Sequence, residues 1–137
     1  MIIRVKDFYI ILSPYIFLTV FLFLLKCKLL NLFLCFIALT LHELGHIVTA
    51  YIIGEKIALL KILPVGFSCK FKNQNKIGLN KMLKILIAGP AVNFITAVLF
   101  FYWTPQFAMM SFFIGIINLL PIYELDGMRI INILLKN

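Results

Sequence analysis

The fold is decided by residues 29–53, which read LLNLFLCFIALTLHELGHIVTAYII. The stretch is almost entirely apolar, and its only acidic and imidazole side chains are His42, Glu43 and His46. At about 1.5 Å per residue, a helix of this length crosses a hydrocarbon core of roughly 30 Å. We therefore predict a membrane-spanning helix over residues 29–53 that carries three ionisable side chains inside it.

The composition of the whole chain is that of an integral membrane protein. Hydrophobic residues make up 64% of the 137 residues, and charged residues make up 13%. Soluble domains carry roughly 25% charged residues. A chain this short cannot bury so much apolar surface in one core, because small domains bury a smaller fraction of their surface. The composition therefore excludes a disordered chain and argues strongly against an ordinary soluble domain.

Further apolar runs on both sides of this helix predict an all-α membrane protein with about four transmembrane helices. The predicted spans are about 8–25, 29–53, 82–103 and 107–120, and a helical segment follows at 128–135. No small-residue cleavage site follows the first run, so we expect a helix there and not a cleaved signal peptide. Residues 61–72 alternate partially and precede a polar turn, which predicts a short membrane-associated strand or hairpin between helices 2 and 3.

The basic residues predict the orientation of these spans. With a cytoplasmic N-terminus, 11 of the 13 lysines and arginines lie on the cytoplasmic side, and only Lys26 and Lys28 lie opposite. The positive-inside bias therefore predicts that both termini and residues 55–81 are cytoplasmic. The same bias accounts for the net charge of +8, so the bilayer is the expected partner and nucleic acid is not.

The chemistry is carried by His42-Glu43-Leu44-Gly45-His46. Residues four apart on a helix are separated by about 40° and 6 Å, so both imidazoles can bind one ion. Zinc suits two imidazoles and a carboxylate with an open fourth position, and Glu43 can then act as general base. The alternative is a polar cluster that holds helices together, although buried ionisable groups in a span are functional candidates by default.

Two histidines need a third ligand, and Asp126 is the best placed of the five acidic residues. It follows the fourth span directly, where Pro121 ends the helix and Gly127 permits a tight turn that aims Asp126 inward. Glu124 is the competing ligand, although a solvated cytoplasmic carboxylate is the favoured interpretation of that residue.

The chain resembles the site-2 protease family of intramembrane zinc metalloproteases, and within it the stage IV sporulation proteases that process a membrane-associated pro-sigma factor. The motifs that match are His42 to His46, Leu63-Pro64-Val65-Gly66, Ala88-Gly89-Pro90, and Asn118 through Gly127. The resemblance implies that His42, His46 and Asp126 bind one Zn²⁺ per chain. It also implies that Glu43 is the catalytic acid and base.

Two asparagines also match family positions. Asn118 corresponds to an asparagine that contacts the substrate or the oxyanion, and a hydrogen bond between helices is the alternative. Asn93 matches a weaker pattern, for which we expect an interhelical hydrogen bond. Gly89-Pro90 is expected to bend the third helix or to permit close packing.

We expect one membrane-embedded metalloprotease core over residues 1–137, without a PDZ or nucleotide-sensing domain. Its expected activity is hydrolysis of a peptide bond in a membrane-associated protein substrate near the cytoplasmic side, with a sporulation pro-sigma factor as the substrate. The alternatives are a non-catalytic zinc-binding membrane protein (a pseudoprotease or a metal-transport component) and a site-2 protease that cleaves an anti-sigma factor. The sequence leaves a homo-oligomer and a membrane inhibitor protein open as further partners.

Overall fold

The computed structural model describes residues 2–5, 8–12, 29–55, 57–63, 66–71, 77–122 and 125–135. Within these ranges the chain forms four helices and one four-stranded sheet. The helices are α1 (Leu29–Ile53), α2 (Leu79–Phe100), α3 (Pro105–Leu119) and α4 (Asp126–Leu134). The strands are β1 (Ile2–Val5), β2 (Phe8–Leu12), β3 (Ile57–Leu63) and β4 (Gly66–Phe71).

Helices α1 and α2 are, among the described residues, the two that are long and apolar enough to cross a membrane. Their lengths are about 38 and 33 Å at 1.5 Å per residue, whereas α3 is only about 22 Å long. The boundaries of α1, α2 and α3 lie within three residues of the spans predicted from the sequence. The short α3 does not by itself reach across a hydrocarbon core of about 30 Å.

The predicted helix over residues 8–25 is wrong for residues 8–12, which form β2. This strand pairs antiparallel with β1 and parallel with β3. A short run of aromatic and β-branched residues suits a strand as well as a helix, and Pro14 disfavours helical backbone just before it. Pairing with β3 then decides for the strand, while residues 13–28 lie outside the described part of the chain.

The connection between α1 and α2 contains the segment for which the sequence predicts a strand or hairpin. There β3 and β4 pair antiparallel, from Ile57 opposite Phe71 to Leu63 opposite Gly66. The order in the sheet is β1-β2-β3-β4, so this hairpin extends the pair formed near the N-terminus. Association of the hairpin with the membrane surface stays a prediction.

The interior of the helix bundle contains many small and polar residues, and its outer surface is largely apolar. Helix α1 packs on α2 and α3, α2 packs on α3, and α4 contacts α2 and α3. Small residues such as Ala38, Ala50 and Ala108 are buried between them, which lets the backbones approach closely. Large apolar side chains lie on the outside, as with Trp103, which is 86% exposed. Such a surface suits lipid as its solvent.

The end of α1 is set by Gly54. Its φ of 83° lies in the left-handed region, which glycine adopts without a steric penalty. The Gly54 N–H donates to the carbonyl of Tyr51, and the Glu55 N–H donates to that of Ala50. These bonds satisfy carbonyls of the last helical turn, and the chain then continues into β3.

Candidate metal centre

The two histidines lie one turn apart on α1 and are both buried, at 5% and 6% exposure for His42 and His46. Their Nε2 atoms are 3.1 Å apart. From the helical rise, His46 lies about 10 Å and His42 about 16 Å from the C-terminal end of α1. The pair is therefore well inside the helix and not at its end.

Asp126 reaches the same depth because α3 is short. Helix α3 stops at Leu119, since Pro121 favours the extended backbone that Leu120 adopts. Helix α3 returns from the far end of α2 and is about 10 Å shorter than it, so the chain leaves α3 at the level of the histidines. Asp126 begins α4 there, and its side chain is turned into the bundle with the residue 8% exposed.

Gly127 assists this approach, although not through the tight turn that the sequence predicts. Gly127 lies within α4, and the glycine of positive φ among the described residues is Gly54. A Cβ on Gly127 would collide with the backbone of Leu119 and lie 2.6 Å from the carbonyl oxygen of Leu120. The missing side chain therefore lets the start of α4 pack against the end of α3.

Three side-chain atoms from α1 and α4 meet at one point. The Oδ2 atom of Asp126 lies 3.1 Å from Nε2 of His42 and 2.9 Å from Nε2 of His46. With the 3.1 Å between the two nitrogens, these atoms form a nearly equilateral triangle. The structure thus brings together the three residues that the sequence singles out as ligands.

Protons alone cannot satisfy this triangle while the Asp126 carboxylate is ionised. If both imidazoles donate Nε2–H to the Asp126 carboxylate, the two nitrogens face each other as donors. If either nitrogen is unprotonated, its lone pair faces the carboxylate. Hydrogen bonds can therefore not satisfy all three contacts at once. One cation that accepts all three lone pairs removes the conflict.

The donor set and its spacing fit zinc. Two imidazole nitrogens and a carboxylate oxygen are ligands that Zn²⁺ takes at about 2.0–2.2 Å, and three such atoms about 3 Å apart would be able to hold one ion between them. His42, His46 and Asp126 also form the buried group of potential metal ligands found among the described residues. A catalytic zinc site with three protein ligands of this kind keeps a fourth position for water or substrate.

One face of α2 holds both imidazoles in this arrangement. The backbone carbonyl of Ile85 lies 2.8 Å from Nδ1 of His46, and the amide nitrogen of Asn93 lies 3.2 Å from Nδ1 of His42. Gly89 lies between them, where a Cβ would collide with the ring of His46 and approach that of His42 to 2.9 Å. Outer contacts of this kind fix the orientation of metal-binding histidines.

The sequence predicts the kinds of contact that this face makes, but not the side chains that it contacts. Close packing at Gly89 and an interhelical hydrogen bond from Asn93 are confirmed. The identity of their partners, the two histidine rings, was missed. The available signal was the spacing of Ile85, Gly89 and Asn93, since residues four and eight apart share one helix face.

The remaining predicted site residues are placed as follows. Glu43 is buried, at 6% exposure, beside His42 on α1. Asn118 donates its amide to the carbonyl of Ile114, 3.0 Å away within α3. The catalytic roles of both residues stay predictions, and the competing ligand Glu124 lies outside the described residues.

Residues 30–107 match Peptidase family M50, which is more than half of the chain. The chain therefore belongs to this family. The matched range contains the histidine motif on α1 and all of α2, but it ends before Asp126. The membership confirms the family predicted from the sequence motifs, and nothing in the match refers to sporulation or to a pro-sigma factor.

A curated protein sequence and a solved structure from Methanocaldococcus jannaschii are similar to this chain. A zinc metalloprotease is 31% identical over 116 residues, which cover 75% of this chain and 33% of that protein. The solved structure of a site-2 protease superposes with a TM-score of 0.77 at 26% identity, covering 98% of this chain and 71% of the solved chain. The fold is thus that of a site-2 protease, while the chain spans about a third of the length of the curated relative.

Proposed function

We propose that this chain forms the core of an intramembrane zinc metalloprotease that hydrolyses a peptide bond of a membrane-associated protein. The observation that carries the proposal is the convergence of His42, His46 and Asp126 around one point, with Glu43 buried beside His42. Membership of a peptidase family that includes zinc metalloproteases supports the same activity.

The proposed reaction assigns a separate role to each of the site residues. His42 and His46 through Nε2, and Asp126 through its carboxylate, would hold the ion. Bound zinc supplies Lewis acidity toward the scissile carbonyl and makes water more acidic. Glu43 accepts the proton of the attacking water and then delivers it to the leaving amine. Asn118 donates its amide to the developing oxyanion.

We place the reaction near the cytoplasmic side of the membrane, with both termini in the cytoplasm. The distribution of lysines and arginines supports this orientation. The histidines then lie about 10 to 16 Å inside the end of α1 that faces the cytoplasm, so water enters from that side. A substrate helix satisfies its own amides, and it must unwind locally before its peptide bond can be attacked.

The more specific proposal for the substrate is a membrane-associated pro-sigma factor in sporulation. It is supported by the resemblance of residues 63–66 and of the 118–127 motif to the sporulation proteases. A membrane-bound anti-sigma factor is the competing substrate within the same family. Co-expression with tethered substrates of both classes separates them, since a pro-sigma enzyme cleaves the first class and spares the second.

The decisive experiment compares the wild-type protein with Glu43→Gln in cells that express a tethered substrate. Because a general base contributes about 10²- to 10⁴-fold to the rate, cleavage should fall by that factor. The zinc content should be unchanged, since Glu43 is not among the three converging ligands. Leu44→Ala is the matched control, because the neighbouring Leu44 is 45% exposed on the outer face of α1.

Equal processing by the wild-type and Glu43→Gln proteins would overturn the catalytic assignment. A wild-type protein that binds zinc stoichiometrically but cleaves neither substrate class would instead favour the non-catalytic zinc-binding protein. Loss of cleavage in Leu44→Ala as large as that in Glu43→Gln would show that the assay reports folding of α1.

A further inference from the structure

The face of α2 formed by Ile85, Gly89 and Asn93 contacts the two histidines through different groups. His46 is held by the backbone carbonyl of residue 85. Any amino acid at that position would supply this carbonyl, because the side chain takes no part in the contact. His42 is held by the side chain of Asn93, which is fully buried at 0% exposure. The chain therefore depends on the identity of residue 93 for one histidine and not for the other.

The backbone contact determines which nitrogen of His46 is protonated. A carbonyl oxygen can only accept, so at 2.8 Å the Nδ1 atom of His46 donates its proton to Ile85. In a neutral imidazole the other nitrogen then carries a lone pair. Nε2 of His46 is thus ready to bind an ion at the centre of the triangle.

His42 needs the same protonation to serve as the second ligand. Its Nδ1 faces the amide nitrogen of Asn93 at 3.2 Å, whereas Oδ1 of Asn93 is buried without a hydrogen-bond partner among the described residues. An NH₂ group can only donate, so this orientation leaves Nδ1 as acceptor and puts the ring proton on Nε2. A proton on Nε2 of His42 prevents that atom from binding an ion.

Reversal of the Asn93 amide gives His42 the protonation that a ligand needs, and moves the NH₂ group to the side where Oδ1 lies without a partner. The oxygen and nitrogen ends of an asparagine amide have nearly the same size, so a half-turn about its terminal torsion fits the same space. Oδ1 then accepts the Nδ1–H of His42, which gives the orphaned oxygen a partner. Nε2 of His42 is left with its lone pair toward Asp126 and His46.

We propose that Asn93 is a positioning residue of the metal centre: in the zinc-bound protein its side-chain oxygen accepts the Nδ1 proton of His42. This inference rests on the proposed zinc site and adds the residue that fixes one of its ligands. Asn93 does not touch the ion or the substrate, and it acts through the ring of His42.

The first test reads the protonation directly in the wild-type chain. The sequence contains only two histidines, so uniform ¹⁵N-histidine labelling reports His42 and His46 alone. In the full chain purified in detergent and loaded with zinc, both rings should show a protonated Nδ1 and a metal-bound Nε2. A zinc-loaded protein in which the His42 ring is unprotonated at Nδ1 would overturn the role of Asn93.

The second test measures zinc affinity by competition with a chelator in three variants. Asn93→Leu keeps the shape but cannot accept, and we expect the 10- to 100-fold loss typical of outer contacts in metal sites. Asn93→Asp restores an acceptor and should bind zinc within a few-fold of wild type. Thr96→Val is the matched control, since buried Thr96 bonds to the carbonyl of Val92 within α2.

The outcomes separate this inference from the proposed function. Wild-type affinity in Asn93→Leu, or an Asn93→Asp protein as weak as Asn93→Leu, would overturn the positioning role even if the protein is a protease. A zinc-loaded wild type with both Nδ1 atoms protonated that cleaves no substrate would overturn the protease proposal and leave the role of Asn93 standing.

Discussion

The two halves of the helix bundle are stabilised by different kinds of contact. In the half that contains the histidines, buried polar side chains of α1, α2 and α4 contact one another and the backbone carbonyl of Ile85 at 2.8–3.2 Å. In the far half, where α2 meets α3, aromatic rings pack edge to face, as with Phe100 and Phe107 at 5.3 Å between centroids. Tyr102 and Trp103 are almost fully exposed there, as in the aromatic belts of membrane proteins.

This difference indicates how the chain divides function and stability. Ring packing requires only area and approximate geometry, so it tolerates apolar substitution at a modest cost. The polar half depends on single atoms, each of which has a specific partner that bulk water cannot replace inside the bundle. Substitutions in the polar half should therefore change zinc binding, and those in the aromatic half should change mainly the free energy of unfolding.

The largest effect is expected from Asp126→Asn. The substitution keeps the size of the side chain but removes the negative charge that joins α4 to the histidines on α1. Loss of a direct ligand should weaken zinc binding by more than the 10- to 100-fold that outer contacts contribute. Metal analysis of the purified protein after dialysis measures the occupancy. Full occupancy in Asp126→Asn would instead favour Glu124 or another group as the third ligand.

The next effect is expected from Gly89→Ala. The added methyl group would meet the ring of His46, which must move away from the position that Ile85 sets. We expect zinc to bind at least about tenfold more weakly, since ring orientation is an outer-contact effect. Chelator competition measures the affinity.

Gly78→Ala is the control for Gly89→Ala, because a Cβ on Gly78 meets nothing within 4 Å. Its zinc affinity should equal that of the wild type. If Gly89→Ala also bound zinc as tightly as the wild type, the α2 face would not restrain the histidines and the contrast between the two halves would weaken.

In the aromatic half, Phe107→Leu should leave zinc affinity unchanged and lower the free energy of unfolding by about 1 kcal/mol, through loss of the edge-to-face pair with Phe100. Phe107 is 6% exposed, so its ring is well packed. Unfolding in mixed micelles measures the change. Phe101→Leu is the control, since Phe101 is 59% exposed and should contribute less. A loss of zinc in Phe107→Leu would show that the halves are coupled.

The sequence predicts the polar half well where the signal is local. His42 and His46 are four residues apart on one helix, and Pro121 marks the helix end that precedes Asp126. The depth of Asp126 is a different matter, because it follows from the length of α3 relative to α2. The partners of Asn93 and Gly89 depend on which face of α2 turns toward α1, and the spacing of these two residues marks a shared face without indicating what packs on it.

The N-terminal error also has a non-local cause. Residues 8–12 continue an apolar run, and apolar runs of five residues do not distinguish a strand from a helix. The deciding interaction is the parallel pairing of β2 with β3, which is some fifty residues away in the sequence. Contacts at that separation leave no local pattern, whereas the 25-residue α1 is specified by its own length and composition.

The smallest effect is expected where the polar half meets water. Lys81 of α2 lies 3.3 Å from the carboxylate of Glu55, just past the end of α1, and the lysine side chain is 54% exposed. Exposed ion pairs contribute about 0–1 kcal/mol and are screened by salt. Lys81→Gln should therefore lower the free energy of unfolding by less than 1 kcal/mol. The difference should shrink further in high salt, with Lys84→Gln as the control on the same helix. A large loss of stability in Lys81→Gln that did not depend on salt would mean that water does not reach this end of the bundle. That result would contradict the proposed entry of water from the cytoplasmic side.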